Sequence, residues 1–215
     1  KWTNWNTGIH TGFVVRWPGK VDEGVRTDAL IQYADVLPTL MDAAGGEPDQ
    51  PHFNGTSFLP VLLGQKEQHR DYAYFMHNNV PEGPPYPIRS ITDGKYHYIR
   101  NLTPDRLYME KHLMGRMPLN IYWPSWQFDA ARDTHTYRLI ERYMKRPEEQ
   151  LYLMSQDPYE LENLANEGGH QIPKKRLSEQ LDRWMKNQGD PGIPIDTWKE
   201  YKSAREGDHF EQQAD

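Results

Sequence analysis

The stretch IRSITDGKYHYIRN, residues 88–101, contains two apolar runs separated by Asp93-Gly94. Aspartate followed by glycine suits the two central positions of a tight hairpin turn, because both positions require positive φ angles. The stretch therefore predicts two antiparallel strands, Ile88–Thr92 and Lys95–Asn101. We expect these strands to belong to a small antiparallel sheet in the second half of the chain.

Two further strands and one helix are predicted around this hairpin. DYAYFMH at 71–77 and the run at 150–155 have the apolar and aromatic composition typical of strands. Residues 174–185 are predicted to form an amphipathic helix that packs on the sheet, because three apolar residues recur there at helical spacing. These residues are Leu177, Leu181 and Trp184.

The first 66 residues have a different pattern, in which short apolar runs alternate with helical segments. GFVVRW at 12–17 and DALIQY at 28–33 are predicted strands, and VLPTLMDAAGG at 36–46 is a predicted helix that Asp35 caps. A second short helix is predicted in FLPVLLG at 58–64. Alternation of strands and helices indicates an α/β layer.

We therefore predict an α/β protein with three parts. Residues 1–66 form the C-terminal part of a large α/β domain, and residues 67–190 form a subdomain with an antiparallel sheet and a packed helix. Residues 191–215 form a polar tail.

The composition excludes several classes of protein. The net charge of −6 argues against nucleic acid as the main partner, because DNA binding requires Lys and Arg to neutralise phosphates. The chain has no Cys, which excludes disulfides, thiolate zinc sites and cysteine nucleophiles within it. It also lacks the run of roughly 20 apolar residues that a membrane-spanning helix needs, so no membrane partner is expected.

The sequence contains no recognisable catalytic or metal motif. The nine His residues do not occur in a His-Glu-x-x-His pattern, and no Gly-x-Ser-x-Gly or phosphate-binding loop is present. We therefore predict no metal site made from this chain alone. His97 is predicted at an ordinary surface or edge position of its strand.

One region is locally basic although the chain is acidic. Residues 89–116 contain six basic and three acidic residues, a local charge of +3. The region is either a solvated sheet face or a wall that attracts an anionic ligand. Among these basic residues, Arg89 is the strongest candidate for binding an anion, because a guanidinium can bind sulfate or carboxylate through two parallel hydrogen bonds.

Two stretches resemble the C-terminal portion of type I sulfatases of the alkaline-phosphatase superfamily. They are KWTNWNTGIHTGFVVRWPGKV at 1–21, continued by the helical segments up to residue 66, and EEQLYLMSQDPYELENLANE at 148–167. The order and spacing of these segments are similar to those of the family. Within it, FMHNNVPEGPPYPIRSITDGKYHYIRNLTP at 75–104 resembles the N-sulfoglucosamine sulfohydrolase, or sulfamidase, branch.

The resemblance implies a fold and a set of site residues. The fold would be the end of an α/β/α sandwich followed by the C-terminal subdomain. Lys1 matches the lysine that contacts the substrate sulfate, and His77 and Arg89 are candidates for sugar binding. Asp157 and Glu160 are expected to stabilise turns and helix ends. The family's formylglycine nucleophile and its calcium ligands would precede Lys1, so we expect neither in this chain.

The resemblance also implies a function and leaves two alternatives. The chain would belong to a longer, exported enzyme, periplasmic or extracellular, that removes sulfate from N-sulfoglucosamine at the end of heparin or heparan fragments. The first alternative is an O-sulfatase or a phosphonate or phosphate monoester hydrolase of the same superfamily. The second is a non-catalytic glycan-binding module. We expect residues 1–66 to need the remainder of the sulfatase domain for stable folding.

Overall fold

The computed structural model describes residues 2–80, 82–114 and 122–193. Within these ranges the chain forms four strands and seven α-helices, with short 3₁₀ turns at Tyr33–Asp35 and Gly168–His170. In chain order the elements are α1 (Asn6–Ile9), α2 (Val36–Ala43), α3 (Leu59–Leu62), β1 (Ala73–His77), β2 (Ile88–Thr92), β3 (Tyr96–Asn101), α4 (Lys111–Met114), α5 (Tyr122–Ala130), α6 (Thr134–Met144), β4 (Glu149–Leu153) and α7 (Gln171–Gln188).

The four strands form one antiparallel sheet in the order β1-β2-β3-β4. The four predicted strands of the second half are confirmed, with ends that differ by two residues at most. The hairpin connection lies where predicted, but its central residues are Gly94 and Lys95 and not Asp93 and Gly94. Gly94 has a φ of +82°, Asp93 has no positive φ, and the Asp93 N–H donates to the Tyr96 carbonyl at 3.3 Å across the turn. The Asp93 side chain also accepts a hydrogen bond from the Tyr96 N–H at 2.7 Å. The polar tail lies largely outside the described residues, which end at 193.

Helix α7 covers one face of the sheet, which we call the helix face. Leu177 and Leu181 of α7 are fully buried against this face. Each buried leucine contributes about 1.5–3 kcal/mol of burial free energy. The predicted amphipathic helix is therefore confirmed, and it is longer than its apolar spacing indicated. The sheet residues of the helix face in contact with α7 are Ile91, Tyr98 and Leu151.

The other face of the sheet contacts Asn4 and Trp5 of residues 2–9. We call residues 2–9 the segment, and this face of the sheet the segment face. Side chains that are paired across an antiparallel sheet lie on the same face, so the register decides membership. Trp5 packs into an aromatic core on this side together with Tyr86, Tyr108 and Tyr152. The sheet residues of the segment face are Ala73, Phe75, His77, Ile88, Ser90, Thr92, His97, Ile99, Asn101, Gln150 and Tyr152.

Two strands predicted in the first part of the chain are absent from the described residues. Residues 12–17 and 28–32 have no regular secondary structure, and Val14 is 92% exposed. A strand requires a neighbour that accepts and donates backbone hydrogen bonds. The sheet at 73–153 consists of the four described strands, and neither residues 12–17 nor residues 28–32 add a further strand to it.

Asp35 connects the first part of the chain to the sheet. The sequence predicts Asp35 as the cap of α2, but its side chain makes no capping bond. Its buried carboxylate instead accepts the N–H groups of Gln32 at 2.8 Å and Thr56 at 3.0 Å, and it pairs with Arg70. The Gln32 amide donates to the carbonyl of Tyr74 in β1 at 2.6 Å. The carboxylate therefore holds α2 and its flanking loops beside the start of the sheet.

Candidate functional site

The segment that follows Lys1 is held against the segment face by polar contacts along its length. The Asn4 amide donates to Ser90 Oγ at 3.1 Å, and the Trp5 indole N–H donates to Gln150 Oε1 at 2.9 Å. The Tyr108 hydroxyl donates to the backbone carbonyl oxygen of Trp2. The sheet partners are buried polar groups, and each has its hydrogen bond satisfied by the segment. The segment therefore has a defined register on the sheet.

Two guanidinium groups lie against the indole of Trp5. The guanidinium carbon of Arg142 lies 3.9 Å from the centroid of the indole ring, and that of Arg146 lies 4.4 Å from it. A desolvated cation over an aromatic face contributes up to about 2 kcal/mol. Trp5 itself is 6% exposed. These contacts fix the centre of the segment from the side of α6.

Arg146 carries a buried positive charge without a carboxylate partner within the described residues. It is 3% exposed, and its guanidinium carbon lies 3.6 Å from the ring centroid of Tyr108 and 5.3 Å from that of Tyr143. Burial lowers the pKa of Arg146, but a guanidinium stays protonated in proteins. The positive potential of this charge therefore extends toward the segment and favours an anion there.

Glu160 and His97 form a second anchor for the segment. Glu160 is fully buried with a positive φ of 57°, and its carboxylate accepts the Asn6 N–H at 2.6 Å. The other carboxylate oxygen lies 2.5 Å from His97 Nδ1. The prediction of a surface or edge position for His97 is wrong: the side chain is 1% exposed, with the Glu160 carboxylate at Nδ1 and the Phe75 ring centroid 6.1 Å from that of the imidazole.

The predicted structural role of Asp157 and Glu160 agrees with their contacts. Asp157 accepts the Glu162 N–H at 2.7 Å within a turn. Glu160 accepts the first N–H of α1, which is a helix start far away in sequence. Their carboxylates therefore hold backbone in place.

The structure does not bring the two predicted sugar-binding residues together. His77 pairs with Ile88 across the sheet, whereas Arg89 is the next residue of β2 and lies on the helix face. Arg89 is fully buried, and its Nε donates to Asp190 Oδ2 at 2.5 Å. Its remaining donors bind Asn78 Oδ1 at 2.9 Å and the Ile88 carbonyl at 2.8 Å. The third predicted site residue, Lys1, lies outside the described residues.

His77 is half-buried at the end of β1, near the aromatic core of the segment face. Its ring centroid lies 6.4 Å from that of Tyr108, and its Nε2 atom is buried without a hydrogen-bond partner in the described part of the chain. Burial is the main cause that lowers the pKa of His77 below its usual 6.5. The lowered pKa favours the neutral imidazole at pH 7.

Residues 1–112 match the family described as the C-terminal part of N-sulphoglucosamine sulphohydrolase. The chain belongs to this sulfatase family. The match includes the segment, β1 to β3 and Tyr108. The resemblance that the sequence carries is thereby confirmed.

Curated relatives of the chain are much longer than the chain itself. An "Ulvan-active sulfatase" of Formosa agariphila is 33% identical over 207 residues, which are 93% of this chain and 39% of that protein. Human "N-sulphoglucosamine sulphohydrolase" is 24% identical over 208 residues, which are 82% of this chain and 39% of that protein. The chain thus spans about two fifths of the length of these relatives.

The fold is similar to that of solved structures. One of them, a protein in complex with its substrate D-glucosamine-2-N,6-O-disulfate, aligns with a TM-score of 0.58 at 19% identity. The alignment covers 84% of this chain and 29% of that protein. At this identity the likeness concerns the fold. It confirms the predicted fold class, an α/β sulfatase fold that ends in a subdomain with an antiparallel sheet and a packed helix.

The described residues contain no group of three or more His, Asp or Glu side chains placed to hold a metal ion. No helix among them is both long and apolar enough to cross a membrane. No step through a metal is therefore derived from this part of the family's fold.

Sequence reasoning missed the residues that anchor the segment. Ser90 and Gln150 are polar residues at buried strand positions, and this departure from an apolar pattern was a signal that could have identified them. Tyr108 lies between β3 and α4, and Arg146 lies between α6 and β4. Neither residue belongs to a repeating pattern of apolar residues that would mark it in the sequence. Their role depends on contacts with residues about 40 to 140 positions away in sequence.

Proposed function

We propose that this chain is the C-terminal part of a longer sulfatase that removes sulfate from a sulfated glycan. The observation that carries the proposal is the anchored segment directly after Lys1, in a chain of this sulfatase family. In this proposal Lys1 places its ammonium group on the substrate sulfate. A fixed cation stabilises the negative charge that gathers on the sulfate oxygens as the bond to sulfur breaks.

The charges of the segment face support an anionic substrate near Lys1. Arg146 contributes a buried positive charge directly behind Trp5 and Tyr108. His77 Nε2 is buried at the end of β1, and we propose that it forms a hydrogen bond with the sugar when substrate binds. Arg89 remains a prediction for sugar binding, and it could take that role only if its pair with Asp190 opened.

The nucleophile and the metal belong, in this proposal, to the part of the enzyme that precedes Lys1. A formylglycine there would supply the oxygen nucleophile, and calcium would supply positive charge at the sulfate. The chain's own contribution is to hold Lys1 and to enclose one side of the sugar.

The surface of residues 12–62 supports the existence of a preceding domain. Phe13, Trp17, Leu40 and Leu62 line an apolar cavity of about 100 Å³, and Val14 projects into solvent. Apolar surface of this kind is characteristic of an interface with another part of a protein. We propose that the remainder of the sulfatase α/β domain covers it and pairs with residues 12–17. We also propose that the boundary between this large domain and the C-terminal subdomain lies at residue 66. The enzyme is proposed to be exported.

Two substrates are candidates. The higher identity, over nearly the whole chain, is to an ulvan-active sulfatase, which favours a sulfate ester of a polysaccharide such as ulvan. The family match and the segment at 75–104 favour the sulfamate of N-sulfoglucosamine. Because the ulvan relative covers more of this chain at higher identity, the sulfate ester is the first candidate and the sulfamate is the second.

The test is release of inorganic sulfate by the full-length protein. It is incubated with ulvan oligosaccharides, with N-sulfoglucosamine and with glucosamine 6-sulfate, and sulfate is measured by ion chromatography. Lys1→Ala is expected to lower kcat/KM by about 10²–10³-fold on the true substrate. A protein that binds these glycans without releasing sulfate would instead be a binding module, and the proposal would fail.

A further inference from the structure

Trp2, the residue directly after Lys1, has a backbone conformation that is unfavourable for its residue type. Its φ is +59°, in the left-handed region. A bulky residue adopts this conformation only at a cost of about 1–3 kcal/mol, and it persists where surrounding contacts hold it. The contacts that hold Trp2 are therefore of functional interest.

A hydrogen bond and a ring contact help to hold Trp2. The Tyr108 hydroxyl donates a hydrogen bond to its backbone carbonyl oxygen. The Trp2 indole stacks on the imidazole of His112, with ring centroids 4.5 Å apart and an angle of 11° between the planes. The first contact fixes the backbone, and the second fixes the direction of the side chain.

Tyr108 is itself held rigidly, so it can act as a reference point. It is fully buried, and its N–H donates to the Met144 carbonyl at 2.8 Å. Its ring makes edge-to-face contacts with Tyr86 at 5.4 Å and with Tyr143 at 5.6 Å. The guanidinium of Arg146 covers the ring face at 3.6 Å. A side chain fixed on all these sides cannot shift without a rearrangement of the core.

We infer that Tyr108 is a positioning residue for Lys1. The inference rests on the proposed function, in which Lys1 binds the sulfate. Tyr108 holds the carbonyl carbon of Trp2, and His112 holds its side chain. With these two substituents of the Cα atom held, the Cα–N bond that leads to Lys1 has a fixed direction. Electrostatic stabilisation of a transition state depends on placement to within about 0.5 Å. Loss of the Tyr108 hydroxyl would therefore weaken the placement of the residue to which Lys1 is joined.

The experiment compares two hydroxyl deletions in the full-length protein. Tyr108→Phe removes the hydrogen bond to Trp2 and keeps the ring. Tyr86→Phe is the matched control, because the Tyr86 hydroxyl is buried in the same core and has no hydrogen-bond partner within the described residues. We expect Tyr108→Phe to lower kcat by about tenfold with a smaller change in KM, as misplacement of a catalytic group does. Tyr86→Phe should retain wild-type kcat.

A double-mutant cycle separates positioning from a merely structural role. If Tyr108 acts through Lys1, Tyr108→Phe should lower kcat no further in a Lys1→Ala background, because coupled residues are non-additive. A loss of the same factor in both backgrounds would indicate a structural role and overturn the inference. Activities are compared at a temperature well below the melting temperature of every variant.

The outcomes also separate this inference from the proposed function. A wild-type protein that releases no sulfate from any substrate overturns both. An active wild-type protein whose Tyr108→Phe variant keeps its full kcat overturns the inference alone. Equal losses in Tyr108→Phe and Tyr86→Phe overturn it as well, since only one of the two hydroxyls contacts the segment.

Discussion

The Glu160 carboxylate and the His97 imidazole meet inside the protein, with Oε1 2.5 Å from Nδ1. The two residues are 63 positions apart, and the other oxygen of the same carboxylate accepts the Asn6 N–H at 2.6 Å. One buried acidic side chain thus joins the segment after Lys1 to β3 and to the region that follows β4. The placement of the segment depends on this junction as much as on the sheet itself.

Replacement of Glu160 by Gln should destabilise the protein. The glutamine amide keeps the shape but offers one acceptor oxygen where the carboxylate offers two. If its oxygen keeps the Asn6 N–H, its NH2 group faces His97 Nδ1, and a proton on Nδ1 then has no acceptor. A buried group left unsatisfied costs about 1–3 kcal/mol. We expect a loss of that size in the free energy of unfolding by urea. Glu162→Gln is the matched control, because Glu162 is exposed. An equal effect of both substitutions would contradict the role of Glu160.

Gly8 should not tolerate a side chain. A Cβ atom at this position would lie 2.4 Å from Thr3 Oγ1 and 2.7 Å from the Thr3 carbonyl oxygen, inside the segment. We expect Gly8→Ala to lower the free energy of unfolding by about 1–3 kcal/mol through overpacking. At Gly12 an added Cβ meets nothing within 4 Å, so Gly12→Ala should be nearly neutral. Melting temperatures of the two variants provide the comparison.

Stability should fall as the pH is lowered below about 6.5. Burial is the main cause that lowers the pKa of both His77 and His69 in the folded protein, so the unfolded state binds more protons in this range. The contribution of each histidine is fully present above the unfolded pKa of 6.5 and is lost as the pH falls toward the lower folded pKa. The slope is at most about 1.4 kcal/mol per pH unit for each group.

The variant His77→Gln tests the assignment of this pH dependence. It should flatten the curve of unfolding free energy against pH below the unfolded pKa of 6.5. His135→Gln serves as the control, since His135 is exposed on α6. An unchanged slope in His77→Gln would show that His77 does not contribute to it.

The pair of Arg89 and Asp190 should be a stabilising contact of the helix face. Removal of one partner leaves a buried charge unpaired, which costs about 3–5 kcal/mol. We expect Arg89→Met and Asp190→Asn each to destabilise the protein, and the double variant to lose much less than the sum. Additive losses, measured by urea unfolding, would mean that the two side chains act independently.

Asp35→Asn should loosen the connection between α2 and the sheet. The asparagine lacks the charge that pairs with Arg70 and offers one acceptor oxygen where the aspartate offers two. We expect a loss of about 2–4 kcal/mol in the free energy of unfolding. Hydrogen exchange should accelerate at Gln32 and Thr56. Asp22→Asn, at an exposed position, is the control; no change in exchange at Gln32 would contradict the role of Asp35.

Local sequence patterns predicted the sheet of the second half and its covering helix. Asp93-Gly94 defined the hairpin, and the spacing of Leu177 and Leu181 defined the helix, because both depend on residues close together in the chain. The strand predicted at 12–17 did not form in the described residues, since a strand depends on a partner that sequence periodicity does not supply. The burial of His97 likewise depends on Glu160, which no local pattern connects to it.

The sequence by itself determined the family, the antiparallel hairpin, α7 and the absence of cysteine chemistry. Each of these features depends on composition or on the spacing of residues close together in the chain. Only the tertiary structure decided that His77 and Arg89 lie on opposite faces and that Tyr108 holds Trp2. These relationships arise from strand register and from packing between residues up to 106 positions apart, as with the Tyr108–Trp2 hydrogen bond. Successive side chains of a strand point to opposite faces of the sheet, so the pairing register decides which side chains share a face. No local motif in the sequence encodes that register.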